Sequence, residues 1–364
     1  VRSRTLGSIA ATAVLAFGFG LLVTGPGSAE HNKTLAQAQE ELEALEIQAG
    51  TASEKFNEAE VLLAAATRRV DQARTKAAAA KAELDSLTSA TNVIAAHAYM
   101  NGSGVDPSLA LLLSNDVDGY LSRATTAQQV ARSQNATLRR SQIQRLALAQ
   151  AMASLAQDEQ AAQAVVLQMA NHRREIDEAL AASRKVISQL REEDRERLAA
   201  LAAERRESAA AAARKARQQI AQRPSRSSSP PAPESSSGGS STGSARAAAA
   251  VRYALAQVGE PYSYSAKPPN SWDCSKLTTA AWAAGGVSLT PYSLAQAQQV
   301  RRVSVSDLRP GDLLFYFNGA RHVAMYIGGG KLVEAASPEN GVQVQDAWNS
   351  WSRDHFSFAG RPIG

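Results

Sequence analysis

The sequence predicts two units of different class: a long α-helical coiled-coil hairpin, then a compact α+β domain in which a cysteine-bearing helix packs on an antiparallel sheet. Three observations predict this. Apolar residues keep a strict heptad from Leu35 to Leu87, a Ser/Pro/Gly-rich stretch interrupts the chain at 223–244, and beyond it helical periodicity gives way to short apolar runs broken by glycine.

The chain begins with Arg2 and Arg4 ahead of an apolar run from Ile9 to Val23, followed by Gly25, Gly27, Ser28 and Ala29. This is the layout of a signal peptide over 1–29 with cleavage after Ala29. The mature protein is therefore expected to be secreted and extracytoplasmic. The run is shorter than the roughly 20 residues of a membrane span, and an uncleaved anchor is the alternative. Val1, read as a start, implies a non-ATG codon and a bacterial gene. No cysteine near the cleavage site offers a lipid attachment point. The formal net charge of +5 is dispersed along helices with no basic patch interleaved with aromatics. That pattern excludes nucleic acid as a partner and favours loose attraction to anionic wall polymers.

Residues 30–222 read as the coiled-coil hairpin. One seam is Leu35, Leu42, Ala49, Phe56, Leu63, Val70, Ala77 and Leu84; the other is Ala38, Leu45, Ala52, Ala59, Ala66, Ala73, Ala80 and Leu87. A 3.5-residue repeat keeps such a stripe facing a partner helix. The pattern stops at Asn101-Gly102-Ser103-Gly104, with Pro107 beyond. A short helical tip near 100–120 follows, holding Leu109 to Leu113. A second helix, looser in its heptads, runs from about Leu121 to Gln222 through Leu138, Leu155, Met169, Ile176, Leu190 and Leu198. The two helices pair within one chain or between two. The apolar tip (Tyr99, Met100, Leu111, Leu112, Tyr120) is either a docking surface or a local core. His97 and His172 have no neighbouring ligands and read as packing or surface residues. Residues 223–244 form a flexible linker, and 245–364 suffice for one domain.

Cys274 is the only cysteine, so it forms no disulfide within the chain and is either an inert buried thiol or a nucleophile. Asp273 is placed to cap a helix starting at Cys274 and ending at Gly285-Gly286. A thiol in the first turn feels the positive end of the helix dipole, which lowers its pKa. For a base the domain offers His322 and His355. His322 opens an apolar strand, Gly328-Gly329-Gly330 turns, and Lys331 to Ala335 returns. His322 and Glu334 are nearly equidistant from that turn, which makes them cross-strand neighbours and lets Glu334 orient an imidazole facing Cys274. His355 lacks such a partner.

The ordered set Gly259-Glu260-Pro261-Tyr262, Asp273-Cys274-Ser275, Ser293 to Gln296, Pro310-Gly311-Asp312-Leu313, His322-Val323 and Tyr326-Ile327-Gly328 resembles the NlpC family of bacterial cell-wall endopeptidases, compact relatives of the papain fold. The resemblance implies a papain-like domain with Cys274 as nucleophile, His322 as base and Glu334 as third member. It implies that Tyr262, with the backbone N–H of Cys274, binds the oxyanion, and that Asp273, Ser275 and Ser293 line the substrate site. No metal or cofactor is needed. The implied substrate is peptidoglycan stem peptide, at the bond from the γ-carboxyl of D-glutamate to a diamino acid such as meso-diaminopimelate. The sequence departs from the family pattern at Lys276 and Ser265, where glycines are usual, and at Glu334, where many members carry histidine. The arm is similar to that of division-associated wall hydrolases, which implies docking of its tip on a membrane division complex of the FtsEX type and restraint of the hydrolase. The alternatives are a catalytically silent wall-binding or scaffold protein that activates another hydrolase, and the same chemistry turned to amidase or acyltransferase use.

Overall fold

The computed structural model describes residues 34–100, 117–222 and 239–363. The segment read as signal peptide, residues 101–116 of the tip and residues 223–238 of the linker lie outside the described residues.

Helix α1 spans Leu35–Met100 and α2 spans Val117–Ser188. Ala38 clusters with Val186 and Leu190, and Ala49 and Ala52 cluster with Ile176 and Ala179. Farther along, Arg74 reaches Glu159 at 3.2 Å and Arg140 reaches Glu83 at 3.0 Å. Partners thus descend α2 as they ascend α1, and the helices pair antiparallel within one chain. Every seam position predicted on α1 is buried or half-buried. On α2 the seam falls on Thr137, Ser141, Gln144, Leu148, Ala151, Leu155, Asp158, Ala162, Val165, Met169, His172, Ile176 and Ala179, at alternating steps of four and three. Polar residues in several of those slots hide the repeat from an apolar reading. Leu138, read as a seam residue, is 55% exposed. His172 pairs with Glu175 at 3.2 Å.

The second long helix also divides. After α2 the backbone turns at Gln189–Leu190, and α3 runs Glu192–Gln222. Its first turn holds Glu192, Glu193 and Asp194, carboxylates that favour a helix N-terminus and so permit a new start without glycine or proline. α3 leaves the coil to pack on the C-terminal domain. Ala209 and Ala213 are buried, Ala212, Ala216 and Ile220 pack against the domain core, and Arg217 Nε donates to the Leu255 carbonyl at 3.0 Å.

The C-terminal domain opens with α4 (Gly239–Ala256), which begins inside the stretch read as linker: its Gly/Ser/Thr start leads directly into the alanine run that propagates it. Then come α5 (Cys274–Ala284), α6 (Ser293–Gln298), β1 (Val300–Val303), β2 (Leu313–Tyr316), β3 (His322–Gly328), β4 (Lys331–Ala335), β5 (Val342–Asp346), α7 (Ser350–His355) and β6 (Phe356–Pro362). The strands form one antiparallel sheet ordered β1-β6-β2-β3-β4-β5. Side chains alternate along β2 and β3, as strand geometry requires. Leu313, Phe315, Val323 and Met325 join the core under α4 and α5, while Leu314, Tyr316 and Ala324 face a second cluster with Trp348, Trp351 and Phe356. With both faces covered, β2 is buried throughout. Gly311 has φ +99°, and a Cβ there would lie 2.9 Å from that of Ala247, so the Pro-Gly-Asp-Leu motif serves close packing of α4 on the loop before β2. This is the predicted α+β domain, with the cysteine helix on an antiparallel sheet.

Candidate active site

Cys274 is the first residue of α5. Asp273 caps that helix, its Oδ1 accepting from the Lys276 backbone N–H at 2.7 Å. Gln296, fully buried, donates to the Ser275 carbonyl at 2.8 Å and accepts from Thr278 Oγ1 at 2.8 Å. That ties α6 to α5 and sets the position of Ser293. The backbone N–H of Val323 also points to the thiol, which fixes Cys274 beside the start of β3.

His322 and Glu334 meet as predicted, by a different route. Met325 pairs with Val333 and Tyr326 with Leu332, with a shift in register between Tyr326 and Gly328. Continued, that register sets Glu334 opposite Ala324, so Glu334 reaches His322 on the diagonal. Both still lie on one face, and His322 Nε2 is 2.7 Å from Glu334 Oε2. The other carboxylate oxygen accepts from Gln343 at 3.4 Å and from Gln345. Tyr316 and Trp351 flank the imidazole, Trp351 edge-on at 5.9 Å between ring centroids. The imidazole is thereby held in one orientation. His355 is spent on structure: its Nδ1 lies 2.9 Å from the Trp351 carbonyl and its ring packs on Phe317 and Trp351. Tyr262 lies near Cys274 and packs edge-on against Tyr264; burial and the nearby thiol push its phenol well above the usual range.

The arm enters this site. α1 crosses the cleft, and a face of it outside the coil seam, Ser53, Glu54 and Asn57, is buried there. Glu54 Oε1 accepts from Ser275 Oγ at 2.7 Å and from Cys274 Sγ at 3.3 Å, while Oε2 accepts from the Ser293 backbone N–H at 2.5 Å. Asn57 Nδ2 donates to Asp273 Oδ2 at 3.1 Å, and its Oδ1 is buried without a partner. Ser53 Oγ donates to the Tyr264 carbonyl at 2.8 Å, and the Tyr264 ring is packed among Ala49, Ala52, Ile176 and Ala179. Two of the positions that depart from the family pattern touch the arm: Lys276 Nζ bonds Glu60 at 3.0 Å, and Ser265 Oγ accepts from Arg173.

The electrostatics follow from this plug. The helix start was expected to lower the thiol pKa, but here burial, with Glu54 and Asp273 adding negative charge, pushes it well up against the opposing N–H of Val323. Burial and then Glu54 push the Asp273 carboxyl up to about 7, with Lys276 opposing. Of the predicted site residues, Ser275 and Ser293 meet the arm carboxylate by hydroxyl and backbone N–H; the Ser293 hydroxyl itself donates to the Ala320 carbonyl at 2.5 Å. Beyond Glu54 the cleft stays open as a cavity of about 850 Å³, which Cys274, His322, Glu334 and Tyr262 line together with Glu46 of α1 and Arg205 of α3. The arm residues Ser53, Glu54, Asn57 and Glu60 escaped sequence reading because, on a charged helix, they look like a solvated face.

Residues 259–361 match the model of the NlpC/P60 family. A probable endopeptidase p60 of Listeria grayi is 36% identical over 115 residues, 30% of this chain and 22% of that protein. A probable endopeptidase of Corynebacterium glutamicum is 42% identical over 82 residues, 22% of this chain and 39% of that protein. Among solved structures, the peptidoglycan hydrolase RipB of Mycobacterium tuberculosis aligns at 28% identity and TM-score 0.31, covering 34% of this chain and 67% of that one. The chain thus spans well under half the length of these curated relatives, and the likeness lies in its C-terminal domain.

Proposed function

We propose that this chain, which carries an NlpC/P60 domain at residues 259–361, is a secreted, wall-associated cysteine endopeptidase of peptidoglycan stem peptides whose own coiled-coil arm holds it inactive. The supporting observation is the pairing of an assembled His322–Glu334 couple, 2.7 Å apart, with an arm carboxylate seated 3.3 Å from the Cys274 sulfur. A silent scaffold needs neither a charged orienter behind the histidine nor a plug over the thiol.

With the arm lifted, Cys274 loses the neighbouring charge of Glu54, and the helix start and Val323 N–H then favour thiolate. The thiolate attacks the γ-carbonyl of the D-glutamyl residue. Negative charge develops on the carbonyl oxygen, met by the Cys274 N–H and Tyr262. His322 delivers its proton to the leaving amine of meso-diaminopimelate, while Glu334 stabilises the imidazolium. Water activated by His322 then hydrolyses the thioester and restores the thiol.

Release of the arm is assigned to a partner at the far end of the coil, a membrane division complex of the FtsEX type, during daughter-cell separation. Tyr99 and Met100 there are 90% and 75% exposed, and about 70 Å of helix separates them from Glu54, long enough to act as a lever.

The test compares full-length wild type, Ser53→Trp and Ser53→Trp/Cys274→Ala on purified muropeptides. An indole cannot fit where Ser53 is 1% exposed, so the substitution pries α1 off. Release at least tenfold faster from Ser53→Trp than from wild type, and none from the double variant, is the expected result. Equal release by all three would overturn the reading.

A further inference from the structure

We propose that Lys276 is a specificity-determining residue that binds a substrate carboxylate in the place now held by Glu60, so that the docked arm imitates an acidic peptide. This rests on the endopeptidase reading above.

Glu54 and Glu60 lie six positions apart on α1, about 9 Å along the helix axis; Glu54 is buried in the catalytic domain, and Glu60, exposed at its edge, reaches Lys276. Glu54 meets two neutral donors, the Ser275 hydroxyl and the Ser293 N–H, beside the thiol. Glu60 meets the ammonium of Lys276 at 3.0 Å. Lys276 is 8% exposed, and lysine is almost never so buried without a partner. Its place in the first turn of α5 sets a cation at the unfavourable end of the helix dipole, so the helix itself gives no reason for it.

Within the catalytic domain the ammonium has the Ala266 carbonyl at 3.2 Å and Asp273 Oδ2 at 3.8 Å. Asp273 is a weaker substitute for Glu60, because it stands off at 3.8 Å and its Oδ1 is held by the Lys276 backbone N–H. When the arm leaves, Lys276 loses its close carboxylate at the same moment that Ser275, Ser293 and Cys274 are uncovered. A stem peptide linked through the γ-carboxyl of D-glutamate brings an α-carboxylate a few bonds from the scissile carbonyl. That group restores the ion pair; its carboxamide form does not. Lys276 then selects for the free acid of that acyl-side residue.

The experiment uses the full chain in the Ser53→Trp background, which leaves Lys276 in place, and two γ-linked D-glutamyl-meso-diaminopimelate peptides differing only in α-carboxylate or α-carboxamide. Lys276→Met is expected to raise KM about tenfold for the acid, as loss of a charged hydrogen bond does, to leave kcat within twofold, and to leave the amide unaffected; Lys276→Arg restores the acid preference. Equal effects on both peptides, or none on either, would overturn the proposal and leave Lys276 as a clasp for the arm alone. If Ser53→Trp cleaves neither peptide while its thiol alkylates freely, the endopeptidase reading falls and this proposal with it.

Discussion

The carboxylate of Glu54 accepts a hydrogen bond from the thiol of Cys274 at 3.3 Å. A thiol that donates is not a thiolate, and a carboxylate beside it opposes the charge a nucleophile must carry. One arm residue therefore covers the thiol and disfavours its thiolate at once.

Replacing Glu54 by alanine removes both effects. At pH 7 the wild-type thiol is expected to alkylate with iodoacetamide at least tenfold more slowly than that of Glu54→Ala. Indistinguishable rates in a single-hit labelling time course would rule out Glu54 as the suppressing group.

Docking of the arm should strengthen in acid. Glu46, on α1, is pushed up to about 7 by burial, then by Glu339 and Glu43, against Arg205 and Ser337; Asp273, facing Glu54, Asn57 and Lys276, is likewise raised to about 7. Freed from the interface, such carboxyls titrate near about 4. The docked state therefore holds more protons between these values. Docking weakens as pH rises from about 5 toward 7 and levels off above. Small-angle scattering should show a larger radius of gyration at pH 8 than at pH 5; the opposite trend would refute the assignment.

In the Ser53→Trp background, Glu334→Gln should lower kcat on the order of 100-fold, since a neutral amide no longer stabilises imidazolium. The melting temperature should change little, because Gln343 and Gln345 can still pair with an amide oxygen. Near-wild-type kcat would remove Glu334 from the site.

Ile176, 1% exposed, packs with Ala49, Ala52 and Tyr264 and so supports both the coil and its seat on the domain. Ile176→Ala is expected to cost about 2–5 kcal/mol, read as a lower midpoint in urea, with faster alkylation of Cys274 in the same sample. Loss of stability without faster alkylation would separate the coil from the latch.

Much of the fold was legible in the sequence where one pattern has one physical solution. The α1 heptad required a partner helix, and the apolar strand, three glycines and return strand required the β3–β4 hairpin. Asp273 before Cys274 required a capped helix. Elsewhere the pattern was silent. Thr137, Gln144 and Asp158 occupy seam slots on α2 that are only half-buried, so their polar side chains still reach water. The division into α2 and α3 was marked by Glu192, Glu193 and Asp194 alone. The register shift that makes the His322–Glu334 contact diagonal is a backbone adjustment with no residue-type signature beyond the glycines.

By itself the sequence determined a coiled coil, an α+β domain, and a cysteine, a histidine and a carboxylate within it, because periodicity, capping and turn chemistry are local and act on neighbours in the chain. Only the tertiary structure decided that Glu54 lies against Cys274 and Glu60 against Lys276. Those contacts join residues more than 200 positions apart, and a glutamate that will be buried in a cleft carries the same local signature as one that stays in water.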